Sequence, residues 1–398
     1  MAYSVLVVED NPFQLQYLLE LFGSLGGVCV QPAVNGHHAL ELLKTRHFDL
    51  LLSDLMMPGM DGVQLVQHLT ELEYKPALAF MSIAHGRMLS SVSLAARSLG
   101  FSVAGVLSKP VRFEALQDTI KHAMAAGNGA FTALKAPTHF SSGDLTAAIS
   151  SGQIQPWFQP KKSLATGRIV AAEALARWRR SSDDLLMPRD FLPGIIRHNL
   201  EEALLMEFVA HTISAQSAWR AQGYDVPVSI NLPTHLLASD DLPDRLHDLV
   251  LARGGIPSKI SFELMESSAT EHQGHYFAGV CRLRFKGFGL AQDDFGKGYS
   301  SYFNLVSTPF TELKIDRSLV SGCVENENLE AALSSIVALG KRLGLNVVAE
   351  GVETAGELAL LSRLDCDQVQ GFLISKAVHS QQFLGLLSAD GPGRRDGI

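Results

Sequence analysis

From Tyr3 to about residue 125 the chain alternates short apolar runs with longer stretches whose apolar positions recur every three or four residues. The runs SVLVV, VCVQP, FDLLLS, ALAFMS and SVAGVL are aliphatic or β-branched and end at polar turns, which predicts strands. Segments such as PFQLQYLLELFGSL and RFEALQDTIKHAM carry the 3.6-residue period of an amphipathic helix. Five βα repeats of this kind predict a doubly wound, flavodoxin-like parallel sheet over residues 1–125. The pattern then lapses into AAGNGAFTALKAPTHFSSGD, a small-residue stretch that reads as a linker over 126–142.

A different pattern occupies residues 143–390. Eight strand-like runs each end in or just beyond a polar side chain that is costly to bury without a task. They are WFQP with Gln159, IVAAEAL with Glu173, VSINL with Asn231, ISFELME with Glu263, GLAQDDF with Asp293 and Asp294, ELKID with Lys314, NVVAEGV with Glu350, and DQVQGF with Gln370. Most later gaps hold a crossover helix and the next strand, but KKSLATGRIVAA between the first two is too short for one. That pair is expected to be an antiparallel hairpin. The whole predicts a (β/α)8 TIM-like barrel with one antiparallel strand and its working residues at the carboxyl ends of the parallel strands.

Composition narrows the functions open to such a chain. At 398 residues it exceeds what one core usually supports, in keeping with two domains. A net charge of -8 argues against a nucleic-acid groove or an anionic membrane surface as the main partner, so an anionic ligand needs cations supplied locally. The four cysteines have no C-x-x-C spacing, so neither a zinc knuckle nor a disulfide framework is indicated, and a reducing cytoplasm fits best. No uncharged apolar segment reaches the roughly 18 residues of a membrane span.

In the first domain, Glu9 and Asp10 follow the first predicted strand, Asp54 follows the third, Ser82 ends the fourth and Lys109 follows the fifth. All five sit at the strand ends where an open α/β sheet forms its crevice. Three acids there suit Mg2+, Lys109 adds a positive charge, and the Ser82 hydroxyl can donate to a phosphoryl oxygen. VVEDN, SDLMMPGMDG, FMS and LSKP together resemble the receiver domain of bacterial response regulators. The resemblance implies phosphorylation of Asp54 by a sensor histidine kinase or phosphotransfer protein, Glu9 and Asp10 holding Mg2+, and Ser82 and Lys109 sensing the acyl phosphate. Val106 stands where receivers often carry an aromatic residue.

In the second domain the adjacent Asp293 and Asp294 are tolerable if divalent cations neutralise them, and Glu173, Asn231 and Glu263 supply further oxygen ligands suited to Mg2+ or Mn2+. Adjacent strand residues point to opposite sides, so a loop start freed by Gly296 and Gly298 is expected to let both acids reach metal. Two cations in an oxygen-rich cluster are an arrangement for in-line attack on a phosphodiester. Glu350, preceded by the apolar LNVVA, is a candidate general base, and Lys314 can hold the attacking water.

FQP, EALARW, SINL, FELME, DDFGKGYSS, LKIDRSLV, VVAEGVET and QGF, in this order, resemble the EAL-domain cyclic di-GMP phosphodiesterases. What the resemblance implies is hydrolysis of cyclic di-GMP to linear pGpG. Glu173, Asn231, Glu263 and Asp293 would ligate metal, and Asp294 would serve a second ion. Glu350 would be the base with Lys314 at the water, and Gln159, Arg177 and Gln370 would contact substrate. Glu266 and Glu353 would position the DDFGKGYSS loop. Homo-oligomerisation through this domain is expected, the fusion itself suggests modulation by the receiver, and the alternative is a catalytically weak receptor or docking module. Met265, Gln292 and Ala377 depart from the usual pattern without removing a ligand.

Overall fold

A computed structural model describes residues 3–72, 74–82, 92–93, 95–130, 140–181, 184–265, 273–297 and 302–391. The chain divides into two compact units, Met1–Pro137 and Thr138–Ile398.

The first unit is built on five parallel strands, β1 (Tyr3–Val8), β2 (Val28–Ala33), β3 (Leu50–Asp54), β4 (Ala77–Ser82) and β5 (Val103–Ser108), in the order β2-β1-β3-β4-β5. Strand alternation sends Leu6, Val8, Leu51, Leu78 and Phe80 into one apolar core, and Val5, Val7, Leu50, Leu52, Ala79 and Met81 into the other. Burial on both faces explains why these strands read as continuous apolar runs. Helices cover both sides. Pro12–Gly23 starts on Pro12 with Asn11 capping the amides of Phe13 and Gln14, and Gly62–His68 starts on a reciprocal Asp61/Gln64 box. Helix Phe113–Ala130 runs into the stretch expected to be linker, and residues 131–139 lie outside the described set.

The second unit is a closed barrel. Its strands are β6 (Ile154–Ser163), β7 (Ile169–Arg179), β9 (Val228–Asn231), β10 (Ile260–Met265), β11 (Gly289–Phe295), β12 (Glu312–Ile315), β13 (Asn346–Ala349) and β14 (Gln368–Val369), with β8 (Leu185–Leu186) added outside on β7. β6 is antiparallel to both its neighbours, β7 and β14, and closes the ring; the other barrel strands are parallel to one another. The short β6–β7 connection thus acts as its length implied.

Outward-facing Phe158, Ala172, Ile230, Phe262, Leu264, Leu290, Leu313, Val347 and Val369 pack in one core that also takes in Phe208 and Trp219 of helix Glu201–Ala221 and Val280 and Leu283 of helix Gln273–Phe285. The alternate residues face the barrel axis, and there the usual filling of Val, Ile and Leu gives way to polar groups. Gln159, Lys161, Glu173, Ser229, Glu263, Lys314 and Gln370 are all less than 9% exposed. Such a polar interior persists only where its groups satisfy one another or await a ligand.

Candidate active site

Lys314, two positions above Glu312 on β12, is the hub of the barrel mouth. Its side chain is 1% exposed, and Nζ lies 2.7 Å from Glu263 Oε2, 2.7 Å from Glu350 Oε1, 2.8 Å from Asp293 Oδ1 and 3.5 Å from Glu173 Oε2. These carboxylates come from β10, the end of β13, β11 and β7, so the residues expected to act together meet in space. Asp316, two residues further along the chain and a possible ion partner for Lys314, instead lies 4.0 Å from Lys297 and caps Ser318 N–H.

Three donors cannot serve four acids. Asp293 Oδ1 and Glu350 Oε1 are buried, and their recorded partner is the Lys314 ammonium that they share with Glu263 and Glu173. Acids that share one ammonium stay under-compensated, which costs free energy unless further cations approach. Asp293, Asp294 and Glu350 also offer oxygens within 4.8 Å of one another, a spacing that can hold an ion. Counting Glu312 below, five carboxylates face the buried Lys314 and Lys161; fully ionised, they leave an excess of negative charge that divalent ions would offset. The donor set is all oxygen, which fits Mg2+ or Mn2+.

The acid doublet reaches the mouth by a route other than the one expected. Asp293 and Asp294 lie within β11, whose pairing with β12 shifts register between Gln292 and Phe295. Asp294 takes a left-handed φ of 53° inside that irregularity. The bulge, rather than a glycine, turns consecutive side chains toward one site, with backbone strain held by the surrounding sheet. Gly296 follows with φ 96°, while Gly298 lies outside the described residues. Asp294 is further held by Lys297, 2.9 Å away.

Burial governs the electrostatics with no ion bound. Desolvation, joined by Glu263, pushes Glu173 up to about 8, and desolvation pushes Glu350 up to about 7. Asp293 is raised for the same reason. Burial also acts to raise Glu263, but Lys314 and Lys161 outweigh it and hold that carboxyl below its ordinary value. The four acids hold Lys314 well above the usual ammonium range against its own desolvation.

The expected substrate contacts sit on the same rim. Gln370 Nε2 donates to Glu173 Oε2 at 2.5 Å and to Gln159 Oε1 at 3.0 Å, and Gln159 Nε2 donates to Ser375 O. Arg177 lies further up β7 with Nη1 on Ala176 O. Asn231 ends β9, opposite Glu263 in register, and borders a cavity of about 460 Å³ walled by Ala176, Ile195, Leu204, Phe208 and Met265. Glu353 pairs with Arg317 at 3.0 Å, and Glu266 lies outside the described residues. Gln292 faces away from the mouth, buried against Asn304.

Lys161, Glu312 and Lys297 were not singled out from the sequence. A signal existed for the first two: strand alternation puts Lys161 on the face of Gln159, and Glu312 on the face of Lys314.

In the first unit, Glu9, Asp10 and Asp54 offer oxygens within 4.8 Å of one another. Lys109 Nζ bridges Asp54 Oδ2 at 2.6 Å and Glu9 Oε2 at 2.7 Å, and Met56 N–H donates to Asp54 Oδ1. Burial pushes Glu9 above the usual carboxyl value, with Lys109 opposing. Ser82 is buried at the end of β4, and Val106 is exposed on β5.

An acid crevice bridged by a lysine on one unit and an acid-lined barrel mouth on the other fit a response regulator with an output barrel. Sequence models agree: the response regulator receiver domain matches residues 5–121 and the EAL domain matches residues 142–377. The chain belongs to the EAL domain family. It is 29% identical over 387 residues to the cyclic di-GMP phosphodiesterase RocR of Pseudomonas aeruginosa, covering 97% of this chain and 98% of that relative. It is 34% identical over 246 residues to the oxygen sensor protein DosP of Escherichia coli, covering 62% of this chain and 31% of DosP. The chain therefore spans nearly all of RocR but less than a third of DosP. Among solved structures, the PaMucR phosphodiesterase in complex with c-di-GMP superposes with a TM-score of 0.57 at 32% identity, covering 61% of this chain and 98% of that one.

Proposed function

We propose that the chain hydrolyses cyclic di-GMP to linear pGpG in its barrel, with Mg2+ or Mn2+ held by Glu173, Asn231, Glu263, Asp293 and Asp294. The observation that carries this reading is the convergence of four buried acids on the single ammonium of Lys314. Near full-length similarity to a protein named a cyclic di-GMP phosphodiesterase supports the substrate. Two divalent ions at this mouth would neutralise the crowded acids and lower the pKa of a bound water.

The protein's own groups then have defined tasks. Glu350, raised to about 7, is matched to take a proton near neutral pH from the attacking water. Lys314, beside Glu350 Oε1, is the donor that holds that water. A product with a 5′-phosphate requires the P–O3′ bond to break as water oxygen bonds to phosphorus, one proton of that water passing to Glu350 and the departing 3′-oxygen taking a proton from solvent to become the 3′-hydroxyl. Arg177 suits a phosphate oxygen through its fork of donors, and Gln159 and Gln370 suit polar groups of the dinucleotide. The neighbouring apolar cavity suits a base. Glu353 and Glu266 would support the loop after β11.

In the receiver, Asp54 is the proposed phosphoryl acceptor from a histidine kinase or phosphotransfer protein, with Mg2+ on Glu9 and Asp10 and with Lys109 and Ser82 sensing the product. Its phosphorylation would bias the barrel's activity, and self-association through the barrel unit would transmit that bias. Among the described residues no helix is long and apolar enough to cross a membrane; the proposed setting is the cytoplasm. The decisive experiment is incubation of purified protein with cyclic di-GMP and Mn2+, with products separated by chromatography. Appearance of pGpG, lost in Glu350→Ala, is expected. Binding of cyclic di-GMP without turnover would make the barrel a receptor instead.

A further inference from the structure

Beneath the acid mouth lies a second buried cation that the proposed reaction does not use. Lys161 projects from the antiparallel strand β6 across the barrel interior, fully buried. Its Nζ donates to Ser229 Oγ at 2.7 Å, to Glu312 Oε1 at 2.5 Å and to Glu263 Oε1 at 3.3 Å. Glu312 is itself anchored, its Oε2 accepting from Asn346 Nδ2 at 3.0 Å. Ser229 and Glu312 stand two residues before Asn231 and Lys314 on their strands, so these groups form the layer directly below the mouth.

The two oxygens of Glu263 are therefore divided between two lysines. Oε2 meets Lys314, which also contacts Glu173, Asp293 and Glu350. Oε1 meets Lys161, which touches none of those three acids among the recorded contacts. Cations entering the mouth would compete with Lys314 for the acids it holds, but would leave the lower layer intact. Glu263 would then keep one anchored oxygen and present the other upward.

We propose that Lys161 is a positioning residue for metal binding: held by Ser229 and Glu312, it fixes the carboxylate of Glu263 from below so that Oε2 faces the ion site. This rests on the reading of the mouth as a divalent-cation site. Outer groups that orient a ligand typically contribute 10- to 100-fold in metal affinity. The rival account is that Lys161 and Glu312 merely compensate each other's buried charge.

The test must change orientation without changing net charge or leaving a buried ion alone. Lys161→Met with Glu312→Gln removes one cation and one anion together. Glu312→Gln alone leaves Lys161 on Ser229 and Glu263. Titration calorimetry with Mn2+ on the full chain, alongside thermal unfolding of the metal-free proteins, should show the double variant folded but binding about tenfold more weakly, with Glu312→Gln, which keeps Lys161 on Ser229 and Glu263, losing clearly less than the double variant. Parental affinity in the double variant overturns the proposal. So does an equal loss in Glu312→Gln alone, which would assign the effect to disturbance of the layer. Failure of the parent itself to bind Mn2+ overturns the cation reading of the mouth and this assignment with it.

Discussion

Loading the barrel mouth with a divalent ion should expel protons, in a number set by how far the metal-free site raises its carboxyls. Glu173 sits at about 8 and Glu350 at about 7 because both are buried among other acids. At pH 7 the first is about 0.9 protonated and the second about 0.5. Ligation needs Glu173 ionised, so metal binding at this pH should release on the order of one proton. The count should stay near one at pH 6 and fall toward zero at pH 9. Glu263 adds little, since Lys314 and Lys161 keep it ionised; Asp293, raised by burial, adds in the same direction. The groups titrate together, so the number belongs to the site rather than to one residue. Calorimetric titration with Mn2+ in buffers of different ionisation enthalpy measures it directly, as the slope of observed against buffer enthalpy. A slope near zero at pH 7, or one that grows toward pH 9, would refute the reasoning.

The same carboxyls make metal-free stability depend on pH. Their folded values lie above the ordinary 4.5, so between about 4.5 and 8 the folded form retains protons that the unfolded chain has lost, and stability falls as pH rises through that window. Urea midpoints should be lower at pH 8.5 than at pH 6 without metal, and Mn2+ should narrow the gap; a higher midpoint at pH 8.5 contradicts the assignment. Lys314→Met leaves several buried acids without their shared cation and should cost about 3 kcal/mol or more in metal-free stability, worst at alkaline pH, as read by denaturant unfolding. Gly371→Ala places a Cβ 2.1 Å from Val352 O and 2.3 Å from Val352 N. That contact with rigid backbone should cost about 1–3 kcal/mol by thermal unfolding. Asp54→Asn should abolish any effect of an acyl-phosphate mimic on hydrolysis; a retained response would remove Asp54 from the regulatory route.

Much of the site was visible as a conflict within the sequence. A polar residue at the end of an apolar strand has few reasons to be there, and eight such runs pointed to one rim. The KKSLATGRIVAA connection determined strand direction, because a chain that short cannot cross over a sheet. The doublet Asp293-Asp294 announced a need for cations, since two adjacent acids repel wherever they are placed. Receiver acids were legible for the same reason, each at the mouth of a parallel strand.

Other features became visible only when the barrel closed. Lys314 could have paired with Asp316 beside it in sequence; closure of the ring instead brought it Glu173, Glu263, Asp293 and Glu350 from four other strands. The bulge that aims Asp294 depends on the register between β11 and β12, which neither strand encodes alone. Strand alternation puts Lys161 on the inner face, but only the closed ring sets Glu263 and Glu312 opposite it. Local pattern dictates which face of a strand a side chain occupies. Which charges meet inside a barrel is decided by long-range closure, because their free energy depends on neighbours that other strands bring from distant parts of the chain.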